Sequence, residues 1–216
     1  MRRVRVARHA LGFRLLHWLI VVEGVILGLS GIQLGGLGLR IFPEGGTWAI
    51  HVLTGIAWIF TSLVLLYYMV VSGDYRWFGI RRIPYAFRYL VGEARAWFGL
   101  GGEVGEPIAY DLKRGEYREK IVPTEVIVWW VFVIFGLLLM LSGLEMAFSK
   151  IFSPLHYFFD VFKYIFGGGP YSIARSLHRL SLFILLGVFV LHVYAVIIFR
   201  MLRGIIFGDR EEPVVE

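Results

Sequence analysis

Four long apolar stretches, separated by glycine-rich, aromatic or charged segments, set the pattern of the chain. They run over about residues 13–39, 47–72, 124–148 and 173–202, and each is long enough to cross a ~30 Å hydrocarbon layer as a helix. The pattern predicts an all-α integral membrane protein: a four-transmembrane-helix up-and-down bundle forming one domain over 1–216. Residues 73–123 form one loop and residues 149–172 form another on the opposite side. Small residues recur inside the stretches, among them Gly24, Gly28, Gly55, Gly136 and Gly187. There they let helices, or a flat cofactor, come close to the backbone.

The segments between the spans have their own character. Tyr75 to Leu100 interleaves Arg81, Arg82, Arg88 and Arg95 with aromatic residues, the composition of a segment lying at a membrane surface. Glycines from Gly99 to Gly105 then break it. Ile151 to Phe166 is apolar and aromatic but too short to span, so it is expected on the outer surface, with His156 a surface histidine. Asp209 to Glu216 reads as a short polar tail. The basic start runs into an apolar stretch too long for a signal peptide and is read as a retained first span.

Charge orients the spans. Most of the 22 Lys and Arg lie in the N-terminus, the 73–123 loop and the tail, whereas the other side holds Arg40, Lys150, Lys163, Arg175 and Arg179. Both termini are therefore expected to be cytoplasmic. At 58% hydrophobic residues and a mean hydropathy of +0.71, the chain falls outside the range of soluble folds. The net charge of +6 does not indicate nucleic-acid binding, because the arginines flank apolar runs instead of forming a basic domain. With no cysteine, the chain has no disulfide and no thiolate site for a metal or iron–sulfur cluster. The absence of Asn and the single Gln, Gln33, fit a thermophile, although low amide content is also ordinary in membrane spans.

The chemistry lies in the histidines. His178 and His192 are fourteen residues apart in the fourth span, which puts them on one helix face about 21 Å apart. His17 lies at the inner end of the first span and His51 at the outer end of the second. By depth the four form two pairs, His51 with His178 outside and His17 with His192 inside. A single buried histidine often only hydrogen-bonds a neighbouring helix, but ionisable groups within a bilayer are rare and usually functional. Two ligands at each depth, with no cysteine, suit two b-type haems better than zinc, which takes three or four protein ligands. Arg40, Arg175 and Arg179 on the outer side, and Arg14, Arg8 and Arg200 on the inner side, are candidates for haem propionates or simple helix-end anchors. Glu23 and Glu145 are candidates to pair with a buried cation or to carry protons.

The chain resembles the four-span di-haem cytochrome b subunits of membrane-bound formate dehydrogenases, nickel–iron hydrogenases and thiosulfate reductases. The resemblance rests on Arg14-Leu-Leu-His17-Trp18, Leu29-Ser30-Gly31-Ile32, His51-Val-Leu-Thr-Gly55, Ser142-Gly143, and His178 to His192 followed by Tyr194. It implies quinone (menaquinone or similar) near the inner haem, against the segment leading into the third span. Tyr117, Glu119, Lys120 and Glu125 are the candidates there, although the family's Asn and Gln have no counterpart. It further implies an electron-transfer subunit of an oxidoreductase in a prokaryotic inner membrane. Electrons would pass between an extracytoplasmic iron–sulfur subunit, with its catalytic subunit, and the quinone pool. The rival readings are a haem-free membrane anchor and a small histidine-dependent transporter or proton pathway.

Overall fold

The computed structural model describes residues 2–101 and 107–215, so the last glycines of the Gly99–Gly105 break lie outside it. Four helices are long and apolar enough to cross a membrane: α1 (Leu11–Leu34), α2 (Thr47–Ser72), α4 (Thr124–Ala147) and α7 (Pro170–Ile198). Helix α3 (Ile83–Trp97) lies between α2 and α4 in the chain, and α5 (Leu155–Asp160) and α6 (Lys163–Phe166) precede α7. Helix α8 (Leu202–Phe207) follows it.

The first span ends at Leu34, five residues before the expected Leu39. Gly36 and Gly38 both take positive φ, a backbone state that favours glycine and stops a helix. The fourth begins at Pro170, just after Gly167 and Gly168, also at positive φ. Proline tolerates the first helical turn, where its missing N–H would have had no partner.

The chain forms two compact units. One comprises Met1–Arg14, Tyr67–Phe132 and Val190–Glu216, and the other Leu15–Leu66 and Val133–Phe189.

The first unit adds to the helical class a four-stranded sheet, in the order β1-β4-β2-β3. Strand β1 is Arg3–Ala7, β2 is Ala109–Asp111, β3 is Glu116–Glu119 and β4 is Asp209–Val215. The expected polar tail is thus an ordered strand. It pairs antiparallel with β1 and parallel with β2, which ties the two chain ends together. The reason is visible in the residues. In β1, Arg and Val alternate between exposed and half-buried positions, the strand period of two. The acidic β4 sets Glu211 opposite Arg5, 3.8 Å away. Helix α3 buries Ala86 in a cluster with Ile121 and Val126.

The second unit inverts the pattern of a soluble core. Glu23, Ser30, Thr61, Ser142, Glu145 and Ser181 are buried, while Leu53, Phe60 and Phe183 are exposed. Apolar side chains facing outward and polar ones facing inward suit a lipid solvent. The hydroxyl of Thr61 on α2 donates to Glu23 on α1 at 3.0 Å, so among the described residues Glu23 is partnered by a hydroxyl and not a cation. Helix α5 rests on an apolar cluster of Phe159, Ile173, Ala174 and Leu177.

Candidate functional site

Helix α2 presents His51 and α7 presents His178, and the structure brings them together with ring centroids 6.2 Å apart and ring planes at 68°. Each ring meets a serine from another span. The Oγ of Ser30 on α1 lies 2.9 Å from His51 Nδ1, and the Oγ of Ser142 on α4 lies 2.8 Å from His178 Nδ1.

This geometry can be tested against haem. An imidazole nitrogen binds a first-row metal at about 2.0 Å, so two rings on opposite sides of one iron have centroids about 6 Å apart. The observed separation fits. So does the donor set, since among the described residues no carboxylate hydrogen-bonds or ion-pairs with either ring, and neutral imidazole nitrogens are suitable haem ligands. Among the described residues, no group of three or more His, Cys, Asp or Glu is placed to hold a bare metal ion. His51 and His178 could therefore hold a haem iron between them.

His17 and His192 fall in different compact units. Within its unit His17 meets the edge of Trp18, centroids 5.7 Å apart, and within the other His192 meets Phe132 at 6.2 Å.

The propionate candidates have different surroundings. Arg175 and Arg179 are exposed one turn apart on α7, with Arg175 against the Tyr171 ring at 5.5 Å. Arg40 is exposed and 3.7 Å from Glu44. Arg14 is engaged by α8, donating from Nη1 to the Ile206 carbonyl at 2.5 Å.

Three of the four quinone candidates, Tyr117, Glu119 and Lys120, have a direct partner. Tyr117 on β3 donates to Glu212 at 3.3 Å. Burial, with the Glu212 carboxylate beside it, pushes the Tyr117 phenol well above its ordinary range. Glu119 receives Arg82 on both oxygens at 2.6 Å. Lys120 reaches Asp74 at 2.7 Å. Glu125 opens α4 within the field of Arg8, Arg210 and Glu119. Tyr117 and Lys120 share a cleft of about 220 Å³ with Arg8, Asp74, Arg76 and Trp77.

Four residues have roles that the sequence reading did not give them. His156 is half-exposed, but its Nε2 lies 2.6 Å from the fully buried Glu145, so it is the partner of a buried carboxylate and not a plain surface residue. Ser30 and Ser142 appeared in the quoted motifs without a role. Glu93 on α3 is buried and accepts from the Thr124 hydroxyl at 2.8 Å. No periodic signal marks it, because a single acidic residue in an arginine-rich helix reads as a surface charge.

Burial raises the Glu93 carboxyl above its ordinary range, against a smaller downward pull from the Thr124 bond. The folded state then holds the proton more tightly than the unfolded chain. The contribution to stability is full in acid, below the ordinary carboxylate pKa, and is lost as pH rises through the folded value. Glu93→Gln keeps an acceptor for Thr124 without the charge. It is expected to raise the melting temperature by a few degrees at about pH 8 and to leave it nearly unchanged at about pH 4. Equal shifts at both pH values would contradict this account.

The sequence profile described as prokaryotic cytochrome b561 matches residues 8–206, nearly the whole chain. No curated protein matches it.

Proposed function

We propose a function from one premise: the chain belongs to the prokaryotic cytochrome b561 family, which includes the cytochrome b subunits of nickel–iron hydrogenase-type complexes. It is a multi-pass protein of the prokaryotic inner membrane, and its family function is haem-b electron transfer within that membrane. On our reading it holds two haems b, an outer one on His51 and His178 and an inner one on His17 and His192. It carries electrons between an extracytoplasmic iron–sulfur subunit, with its catalytic partner, and quinone at the cytoplasmic side.

When bound, haem b supplies a one-electron iron couple. The chain supplies the rest. His51 and His178 would hold the haem iron, one ring from α2 and one from α7. Arg175 and Arg179 offer exposed cations to propionates at the outer end of α7. Tyr117 and Lys120 offer a hydroxyl and an ammonium to a quinone head in the cleft they share, once their present partners release them.

The observation that carries this reading is the 6.2 Å separation of the His51 and His178 rings. Its test is a visible spectrum of the purified protein with pyridine haemochrome quantitation. Two haems b per chain, with a sharp α-band on dithionite reduction that menaquinone analogues reoxidise, are expected. A protein purified from haem-replete cells with no Soret band would sink the reading in favour of a haem-free anchor.

A further inference from the structure

We infer that Ser30 and Ser142 are positioning residues that seat His51 and His178 in the ligating tautomer and hold down the potential of the outer haem, an inference that rests on the bis-histidine reading above.

The same three residues occur twice. Leu29-Ser30-Gly31 on α1 meets His51 of the following span, and Leu141-Ser142-Gly143 on α4 meets His178 of the span after it. In both copies the serine hydroxyl turns back to the carbonyl four residues earlier, Ser30 to Ile26 at 2.7 Å and Ser142 to Leu138 at 2.5 Å. A hydroxyl has one hydrogen. Once that hydrogen goes to the carbonyl, Oγ faces Nδ1 with a lone pair, so Nδ1 must carry the ring hydrogen. Both rings are therefore fixed with Nδ1 as donor and with the Nε2 lone pair free for iron.

The glycine completes the seat. A Cβ on Gly31 would stand 3.2 Å from His51 Cε1, closer than side chains ordinarily approach, and one on Gly143 would stand 3.5 Å from His178 Cε1. The two halves are thus equivalent in hydrogen bonding but not in clearance.

The consequence is electronic. An imidazole that donates through Nδ1 becomes more basic at Nε2. A more basic ligand favours the ferric state and lowers the potential. Removing either hydroxyl should raise the potential of one haem, the same haem for both serines, because their histidines share one iron.

The test is a spectroelectrochemical titration of the full-length protein in detergent, with haem content measured in parallel. Ser30→Ala and Ser142→Ala are each expected to raise the midpoint potential of the same haem and leave the other unmoved. The double variant should shift it further, and threonine at either position should return it toward the wild-type value. Gly31→Ala is expected to perturb that haem's spectrum while Gly143→Ala does not. Unmoved potentials in haem-replete serine variants would overturn the inference. So would shifts in different haems, or haem loss that threonine fails to restore. Wild-type protein without haem would instead refute the cytochrome reading on which the inference stands.

Discussion

Replacing His178 with alanine is expected to halve the haem content of the purified protein, from two per chain to one. The imidazole of His178 is one of two that could hold the outer iron, and no other His, Cys, Asp or Glu among the described residues forms a metal-holding group with them. One remaining axial ligand cannot keep a low-spin bis-histidine haem. The fold itself should survive. Ser142 keeps its bond to the Leu138 carbonyl when the ring is gone, so no buried hydroxyl is stranded. The apolar cluster of Phe159, Ile173, Ala174 and Leu177 stays in place. Free imidazole added to the variant should refill the vacated space and restore part of the α-band. Wild-type haem content in His178→Ala would show that this ring does not ligate. The same measurement on His192→Ala tests the inner pair independently.

Replacing Glu212 with alanine is expected to destabilise the protein by about 3–5 kcal/mol, the usual result of stripping one partner from a buried charge network. Glu212 on β4 is fully buried, 2.6 Å from Arg8 and 2.5 Å from Arg210, with the Tyr117 hydroxyl at 3.3 Å. Arg8 also donates to the Lys120 carbonyl and packs under Gly204, where a Cβ would come within 2.9 Å of its Cδ. Two guanidinium groups buried without the carboxylate between them could not recover their hydration in place. Glu212→Gln keeps one acceptor oxygen but sets an amide donor where the other oxygen accepts an arginine, so it loses the charge and one of the hydrogen bonds and should fall between wild type and alanine. Thermal unfolding in detergent, together with hydrogen exchange in β1 and β4, measures the effect. A loss below about 1 kcal/mol would mean that the network is solvated or replaceable.

How much of this was legible beforehand differs from element to element. The four spans were legible because each depends on a local sum of apolar residues, which neighbours cannot alter. Their ends were less so. Gly36 and Gly38 could have been read as a stop, but the apolar Leu37 and Leu39 carried the count past them. The sheet was missed although Arg3-Val-Arg-Val-Ala7 alternates with the strand period, because a short basic start before a span also reads as a charge anchor. Which strand would pair with it depended on residues some two hundred positions away, and single-sequence periodicity does not report that.

The histidine ligands illustrate the same division. Their residue type, depth and helix face follow from chain position alone, so His51 and His178 could be paired by topology. Their separation of 6.2 Å depended on α2 and α7 turning these rings toward each other in space. The serines show it most clearly: in the sequence Ser30 and Ser142 are small residues in apolar helices, quoted in motifs without a role. Only the approach of a second helix turns each hydroxyl toward an imidazole. Likewise, Tyr117, Glu119 and Lys120 were found as polar groups in the right segment, but their engagement with Glu212, Arg82 and Asp74 was decided by the tertiary fold. The sequence by itself determined what is local: spans, small-residue faces, ligand types and their spacing along one helix. Tertiary structure decided every property that depends on two segments meeting, because hydrogen bonds and ion pairs act over a few ångströms of space and not along the chain.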